Sequence, residues 1–482
     1  MAIDPGLRRL ALRTLLAAFP GTTPPPWALD LAAEGLAGYT LFGSNIAEPA
    51  QVKATTDALR QASATVLVAI DEEGGDVTRL AHRTGSPYPG NAALGALDDV
   101  DVTRDVYRSI GAELAAAGIR VDLAPTVDVN TADDNPIIGT RSFGADTARV
   151  ARHTRAAVEG LQAAGVAACA KHFPGHGATV ADSHLELPTV DVPLDVFRER
   201  DLPPFAAAID AGAKAVMTAH IRVPELTGDG PATFSRAALH DLLRVDLGFT
   251  GALITDALEM KGAAVVAGGT APAAPLALAA GADLLCIGAD VDAALVEETA
   301  AEIVAAIGDG RLPAARVEEA AERTAALAAW TSRPAPVAPA ETDLGYAAAR
   351  RAVRVEGTPV VGPNPLLVEL AATSTIAEGR VPWGLGPHVD GREQLRVVAT
   401  TTTPDELLAR AADRPIVIVA RHAHRLAGAT ELVEALAARH PVTVVEMGWP
   451  SRWRPASAKA FVTTYGASHA NGRAAADVLG LV

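Results

Sequence analysis

Residues 171–184 read KHFPGHGATVADSH, which puts three His, one Lys and one Asp within fourteen positions. The apolar, small-residue run Gly165–Ala170 precedes them and has the character of a buried strand. Lys171 and His172 then stand at the carboxyl end of that strand, where parallel α/β folds keep their chemistry. Pro174, Gly175 and Gly177 exclude a helix, so the remainder is a loop. The plain alternative is a turn whose imidazoles are satisfied by backbone groups. So many ionisable side chains at one strand end favour a functional site over that turn.

Working outward, short β-like segments alternate with Ala-rich helical ones as far as about Trp330. The strand candidates are Tyr39–Phe42, Val66–Asp71, Arg120–Ala124, Ala167–His172, Ala215–His220, Ala252–Asp256 and Leu284–Gly288. Amphipathic stretches such as Val150–Ala164 and Arg236–Val245 separate them. This alternation implies a parallel sheet with helices outside, and seven visible strands favour a (β/α)8 barrel with one irregular member. Asp71, Lys171, His172, His220 and Asp256 all fall at strand ends, with Arg141 in a loop after the third, and a barrel would bring them to one face.

Residues 332–343, SRPAPVAPAETD, have the composition of an extended linker. Beyond it, Thr358–Val361, Leu366–Leu370, Val397–Thr400, Pro415–Ala420, Val442–Glu446 and Ala460–Thr464 predict a parallel sheet of five or six strands. The expected organisation is a barrel over 1–331, the linker, and a smaller α/β sandwich over 344–482. No phosphate-loop or dinucleotide glycine pattern opens the second domain, so no cofactor is expected.

Bulk properties narrow the function. A formal charge of −16 argues against nucleic acid and anionic membranes as partners, since both call for a basic face. The core must be mostly Ala, Val and Leu, because hydrophobic residues make up 49% of the chain and aromatic ones only 4%. Cys169 and Cys286 sit in apolar runs and are expected to serve as small hydrophobes. The first twenty-one residues, MAIDPGLRRLALRTLLAAFPG, faintly resemble a signal peptide, but Arg13 interrupts the apolar stretch. No run reaches the ~18 apolar residues of a membrane span. The expected location is cytoplasmic, and the sequence specifies no oligomeric state.

Two arrangements have the makings of a reactive centre. Asp256 ends the apolar run GALITDAL; a carboxylate there is costly unless paired or used, and capping of the next helix is its other reading. Asp182 and His184 form an Asp-x-His pair in which the carboxylate fixes the imidazole tautomer and strengthens the other nitrogen as a base. A turn cap beside a surface His is the alternative there. Asp71, with Glu72 and Glu73, and Arg141 supply carboxylates and a guanidinium suited to a polyhydroxylated ligand. Metal-ligand spacings are missing, and Lys171 beside His172, His176 and His184 would repel a cation.

Taken as a set and in order, DEEGG at 71–75, NPIIGTRSF at 135–143, KHFPGHG at 171–177, DSH at 182–184, PATFS at 231–235 and TDALEM at 255–260 resemble glycoside hydrolase family 3. The DSH signature resembles the bacterial β-N-acetylglucosaminidase branch. The resemblance implies a retaining exo-glycosidase that releases terminal β-linked N-acetylglucosamine. Asp256 falls at the nucleophile position, His184 oriented by Asp182 at the acid/base position, and Asp71, Arg79, Arg141, Lys171 and His172 at sugar-contacting positions. Three positions depart from the pattern: Asp76 where Arg is common, Ala178 where an Asp usually follows GHG, and Ala257 where a second Asp often follows the nucleophile. The implied partner is a carbohydrate substrate. Other readings are a phosphorylase using phosphate as acceptor, a β-glucosidase, and an inactive sugar-binding barrel; retention of both Asp256 and His184 argues against the last.

Overall fold

The computed structural model describes residues 4–333 and 339–482. Two compact units emerge, and neither is a single continuous segment: Met1–Glu72, Thr103–Ile137 and Ala145–Ala340 form the first, and Glu73–Val102, Ile138–Gly144 and Glu341–Val482 form the second.

The first unit is built on β1 (Leu15–Ala17), β2 (Gly38–Leu41), β3 (Leu67–Ile70), β4 (Val121–Asp122), β5 (Ala167–Phe173), β6 (Ala215–Thr218), β7 (Ala252–Ile254) and β8 (Leu285–Cys286). Strands β1 to β7 pair in parallel in chain order, and β8 pairs with β1. A parallel bridge between Ile254 and Leu284 then joins β7 to the segment entering β8, closing the ring as the expected (β/α)8 barrel. All seven expected strands are present. The eighth is β1, inside the stretch whose apolar character resembled a signal peptide. Helix Pro5–Leu12 and β1 are separated by only two residues, so one apolar run carries both and its periodicity is blurred.

Alternate residues of the strands face one another across the barrel: Leu67 and Ala69, Ala167 and Cys169, Ala215 and Met217, Ala252 and Ile254. Small side chains at these positions suit the low aromatic content. Cys169 and Cys286 are free and buried, and burial pushes the Cys286 thiol up to about 12, in keeping with an inert core role. Among the described residues no single helix is long and apolar enough to cross a membrane.

The second unit contains β9 (Arg354–Gly357), β10 (Leu366–Leu370), β11 (Gln394–Val397), β12 (Ile416–Ala420), β13 (Val442–Glu446) and β14 (Ala460–Thr463), in the order β11-β10-β12-β13-β14-β9. Apolar clusters cover both faces of this sheet, which makes the α/β sandwich. The sheet is mixed rather than wholly parallel, because β9 runs antiparallel to β14. That edge strand lies just upstream of the expected Thr358–Val361 and is exposed throughout, so no hydrophobic pattern announces it. Of the expected linker, residues 334–338 lie outside the described residues; helix Ala314–Thr331 ends just before it, and helix Thr342–Ala352 starts within it.

Two excursions from the barrel loops belong to the second unit. A Cβ on Gly345 would lie 2.2 Å from the Pro87 carbonyl oxygen, so glycine permits this close packing. Asp76 accepts from the Ala467 N–H at 2.7 Å and from the Thr140 hydroxyl at 2.7 Å, with Arg421 3.4 Å away. Asp76, one of the departures from the family pattern, is thus a hub of the second unit.

Candidate active site

The inward-facing register of the barrel continues one step beyond its strands. Asp71 follows Leu67 and Ala69, Lys171 follows Ala167 and Cys169, and Asp256 follows Ala252 and Ile254 at the same parity. Three charged side chains therefore stand where an apolar residue would otherwise cap the barrel core. Lys171 is fully buried, and its ammonium donates to Asp71 Oδ1 at 2.6 Å. Between Ala170 and Phe173 the ladder from β5 to β6 shifts register, which reorients the chain at His172.

Asp128, on the segment after β4, organises that irregular stretch. Its Oδ2 takes the His172 Nδ1 contact at 2.8 Å, and its Oδ1 accepts from the backbone N–H groups of His172 at 3.3 Å and His176 at 2.7 Å. Burial opposes its ionisation, but His172 and His176 hold the carboxyl below the usual range. The ionised carboxylate places a proton on His172 Nδ1, so Nε2 is the ring atom turned away from it.

The loop that follows carries the Asp-x-His pair. Asp182 Oδ1 accepts from the His184 N–H at 2.9 Å and from His184 Nδ1 at 2.7 Å. Burial works against the Asp182 charge, and His184 more than offsets it, keeping the carboxyl low. The His184 side chain retains 20% exposure, enough to meet a ligand through Nε2.

His176 anchors this loop from behind. Its Nδ1 lies 2.7 Å from Thr179 Oγ1, and its Nε2 lies 3.0 Å from Ser183 Oγ. The Thr179 hydroxyl donates to the His176 carbonyl at 3.0 Å, so Nδ1–H donates to Thr179 and Nε2 accepts from Ser183. Burial lowers the His176 pKa to about 4, which keeps the ring neutral, as this donor–acceptor pattern requires.

Asp256 completes the group. Its Oδ1 accepts from the Ala257 N–H at 2.8 Å. Burial would raise its pKa, but His220, His172 and His184 hold it below the usual carboxylate range. His220 is itself fixed: Nε2 donates to the Ala257 carbonyl at 3.0 Å, and Nδ1 meets the Thr233 hydroxyl at 2.8 Å. Burial lowers the His220 pKa, and the charge of Asp256 opposes that fall. Gly262 donates to the Ser183 carbonyl at 3.1 Å and thereby links the Asp256 segment to the Asp182–His184 loop. A Cβ there would come within 2.9 Å of His220 Cβ, so glycine is needed for that approach.

Asp71, Lys171, His172, Asp182, His184 and Asp256 thus all belong to the barrel unit, at the carboxyl ends of its strands or the loops that follow. Arg79 and Arg141 belong to the second unit. Arg141 forks onto Glu73 at 2.9 and 2.8 Å, while Arg79 donates to the Ala377 carbonyl at 2.8 Å. Sequence reasoning left Asp128, His176, His220 and Thr233 without roles, although His220 stood out as a strand end and Thr233 is the centre of PATFS. Among the described residues no group of three or more His, Cys, Asp or Glu side chains is placed to hold a metal ion.

Comparison with known proteins points to one family. A family model described as the glycosyl hydrolase family 3 N terminal domain matches residues 27–327. The chain is 39% identical to Beta-hexosaminidase A of Pseudoalteromonas piscicida over 264 residues, which are 50% of this chain and 44% of that protein. It is 38% identical to a Beta-hexosaminidase of Thiobacillus denitrificans over 258 residues, 52% of this chain and 70% of the relative. The chain therefore spans less than half of the first relative and about two thirds of the second. Among solved structures, a family 3 β-N-acetylglucosaminidase from a Paenibacillus species superposes with a TM-score of 0.89 at 31% identity, covering 100% of this chain and 97% of that one.

Proposed function

Because the chain belongs to glycosyl hydrolase family 3, we propose that it releases terminal β-linked N-acetylglucosamine by a retaining, two-step mechanism. The observation that carries this reading is an Asp256 carboxylate held ionised among three imidazoles, one of which, His184, is backed by Asp182. Asp256 attacks the anomeric carbon while His184 Nε2, with the proton on it, protonates the departing oxygen. Asp182 orients the ring through Nδ1, and the proton on Nε2 is the one transferred. Neutral His184 then takes a proton from the incoming water, which displaces Asp256 and restores the β configuration. Retaining glycosidases generally use two carboxyl groups ~5 Å apart for these roles; here the imidazole of His184 takes the place of one. Asp71, Lys171 and His172 grip the sugar hydroxyls. The test is hydrolysis of an aryl β-N-acetylglucosaminide followed by NMR. Initial release of the β anomer supports the reading, and the α anomer or preferential cleavage of β-glucosides overturns it.

Phosphorolysis is the second reading, favoured by the imidazole at the acid/base position. A carboxylate there would repel an arriving unit anion by ~4 kcal/mol at 4 Å and an effective dielectric of 20. Neutral His184 lacks that charge, although Asp182 behind it retains part of the repulsion. A β-configured sugar 1-phosphate formed in millimolar phosphate identifies this route; free sugar alone identifies the hydrolase.

A further inference from the structure

Among the described residues of the first unit, seven large aliphatic side chains are exposed, and four of them lie on the two segments that carry His184 and follow Asp256. Val180 is 71% exposed and Leu185 56%; they stand two residues before Asp182 and directly after His184. Val265 and Val266 are 74% and 50% exposed on the helix Lys261–Ala267. The two segments are joined, since Gly262 N–H donates to the Ser183 carbonyl and a Cβ on Gly262 would lie 3.1 Å from the Glu186 carbonyl oxygen. Val265 and Val266 are three and four positions on from Gly262, so they share its side of the helix. Scattered exposed aliphatics are ordinary, but this concentration borders the group proposed to meet the leaving oxygen.

Position gives the patch a chemical meaning. A departing oxygen must come within hydrogen-bond reach of His184 Nε2 to receive its proton. Whatever that oxygen carries therefore leaves past the residues flanking His184. A second sugar ring presents hydroxyls that both donate and accept, and the side chains of Val180, Ala181 and Leu185 offer them no partner. An aryl or alkyl group would instead cover aliphatic surface and gain from its removal from water.

Building on the proposed glycosidase reading, we infer that Val180 and Leu185, continued by Val265 and Val266, form an aglycone subsite for apolar alcohols or phenols. The site discriminates for an aryl or alkyl aglycone against a second sugar.

The experiment compares kcat/KM for hexyl β-N-acetylglucosaminide and N,N′-diacetylchitobiose in the wild type and in Val180→Ser/Leu185→Ser. The two leaving groups differ in acidity, but that difference is the same in both proteins and cancels when the variant's ratio is compared with the wild type's. The hexyl-to-chitobiose ratio should fall about tenfold in the double variant, within the usual worth of apolar pocket contacts. Leu185→Met, which keeps apolar area, should hold the ratio within about twofold of wild type. An unchanged ratio in the Ser variant, or an equal loss on both donors, overturns the aglycone subsite and leaves the glycosidase reading intact. Failure of the wild type to cleave any N-acetylglucosaminide overturns both. Should the patch instead join two copies of the chain, sedimentation would show a dimer that the Ser variant loses while the ratio stays fixed, which also overturns the subsite.

Discussion

Asp256 and Asp283 stand at opposite ends of adjoining barrel strands, and their surroundings differ in kind. Asp283, just before β8, is fully buried and saturated: Oδ1 receives Arg316 at 2.6 Å and Arg323 at 3.3 Å, while Oδ2 receives the Leu253 N–H at 2.9 Å and Arg244. Arg244 and Arg316 also donate to the carbonyls of Gly251 and Ala282, so the guanidiniums are bound on both sides. Asp256, just after β7, has one hydrogen bond among the described residues, from its neighbour's N–H, and is otherwise held ionised through space by imidazoles. A carboxylate whose lone pairs are filled by fixed cations is committed to structure. One stabilised without being filled keeps its oxygens available for a bond that does not yet exist.

The sharpest way to break this contrast is to remove the Asp256 side chain. Asp256→Ala should lower kcat by about 10⁴-fold or more while the thermal midpoint stays near that of the wild type, since no buried cation is orphaned. A 2-fluoro sugar with a reactive leaving group should label wild-type Asp256, as read by peptide mass spectrometry. Labelling of another carboxylate, or a collapse of the fold in the variant, would erase the distinction between the two aspartates.

His184→Ala should come next, with a loss of about 10²- to 10⁴-fold on donors with poor leaving groups. Donors with very acidic phenols need little protonation and should suffer less in the first step. Azide should then restore part of the rate by attacking the glycosyl-enzyme without a general base. A uniform loss without rescue would assign His184 a structural role.

Asp283→Ala tests the opposite end. Removing one partner of a buried ion pair costs about 3–5 kcal/mol, and here the buried Arg244 loses its carboxylate while Arg316 and Arg323 keep Glu319. Denaturant unfolding should show that loss directly, while kcat per folded molecule should stay within a few-fold of wild type. A variant as stable as the wild type would mean that the three arginines rearrange freely.

The same contrast explains what the sequence discloses. Lys171, His172, Asp182, His184 and Asp256 are legible because polar residues interrupt or terminate apolar runs, and such runs show strand ends. Asp128 and His176 are less so: both are spent on other protein groups, and Asp128 lies four residues beyond the expected strand Arg120–Ala124 rather than at its end. The barrel is visible from alternation alone, except for β1, which shares an apolar run with a helix. The two loops that join the second unit could not be separated from the barrel, because Asp76 with Ala467 and Gly345 with Pro87 are contacts between remote positions. The antiparallel β9 was hidden for a different reason, since an exposed edge strand carries no burial pattern.

The smallest effect concerns His176, which belongs to the reactive end by position but resembles Asp283 in having its polar atoms filled. Its pKa falls from 6.5 to about 4, first because burial disfavours the imidazolium and also because His172 repels it; Asp128 and Asp256 oppose the fall. The folded pKa lies below the unfolded one, so the unfolded chain takes up this proton first as the pH drops. The stabilisation is complete above about 6.5 and is lost progressively towards about 4. At 1.36 kcal/mol per pH unit, this residue alone removes about 3 kcal/mol over that window. His220 adds to the slope with the same sign, whereas Asp201 and Glu446, whose buried carboxyls are raised to about 6 and about 7, act against it. His176→Gln isolates the contribution, because Gln can occupy a similar space without titrating. Compared with wild type, its unfolding free energy should fall less between pH 7 and pH 4.5, by about 2 kcal/mol. Loosening of the loop that holds Asp182 and His184 should also cost about 10²-fold in kcat, the scale expected when a catalytic group shifts by about 1 Å. In the wild type, NMR of the His176 ring should show it neutral at pH 5. A ring that takes up its proton near pH 6.5, or a variant with an unaltered pH slope, would show that His176 is not held neutral by the contacts to Thr179 and Ser183.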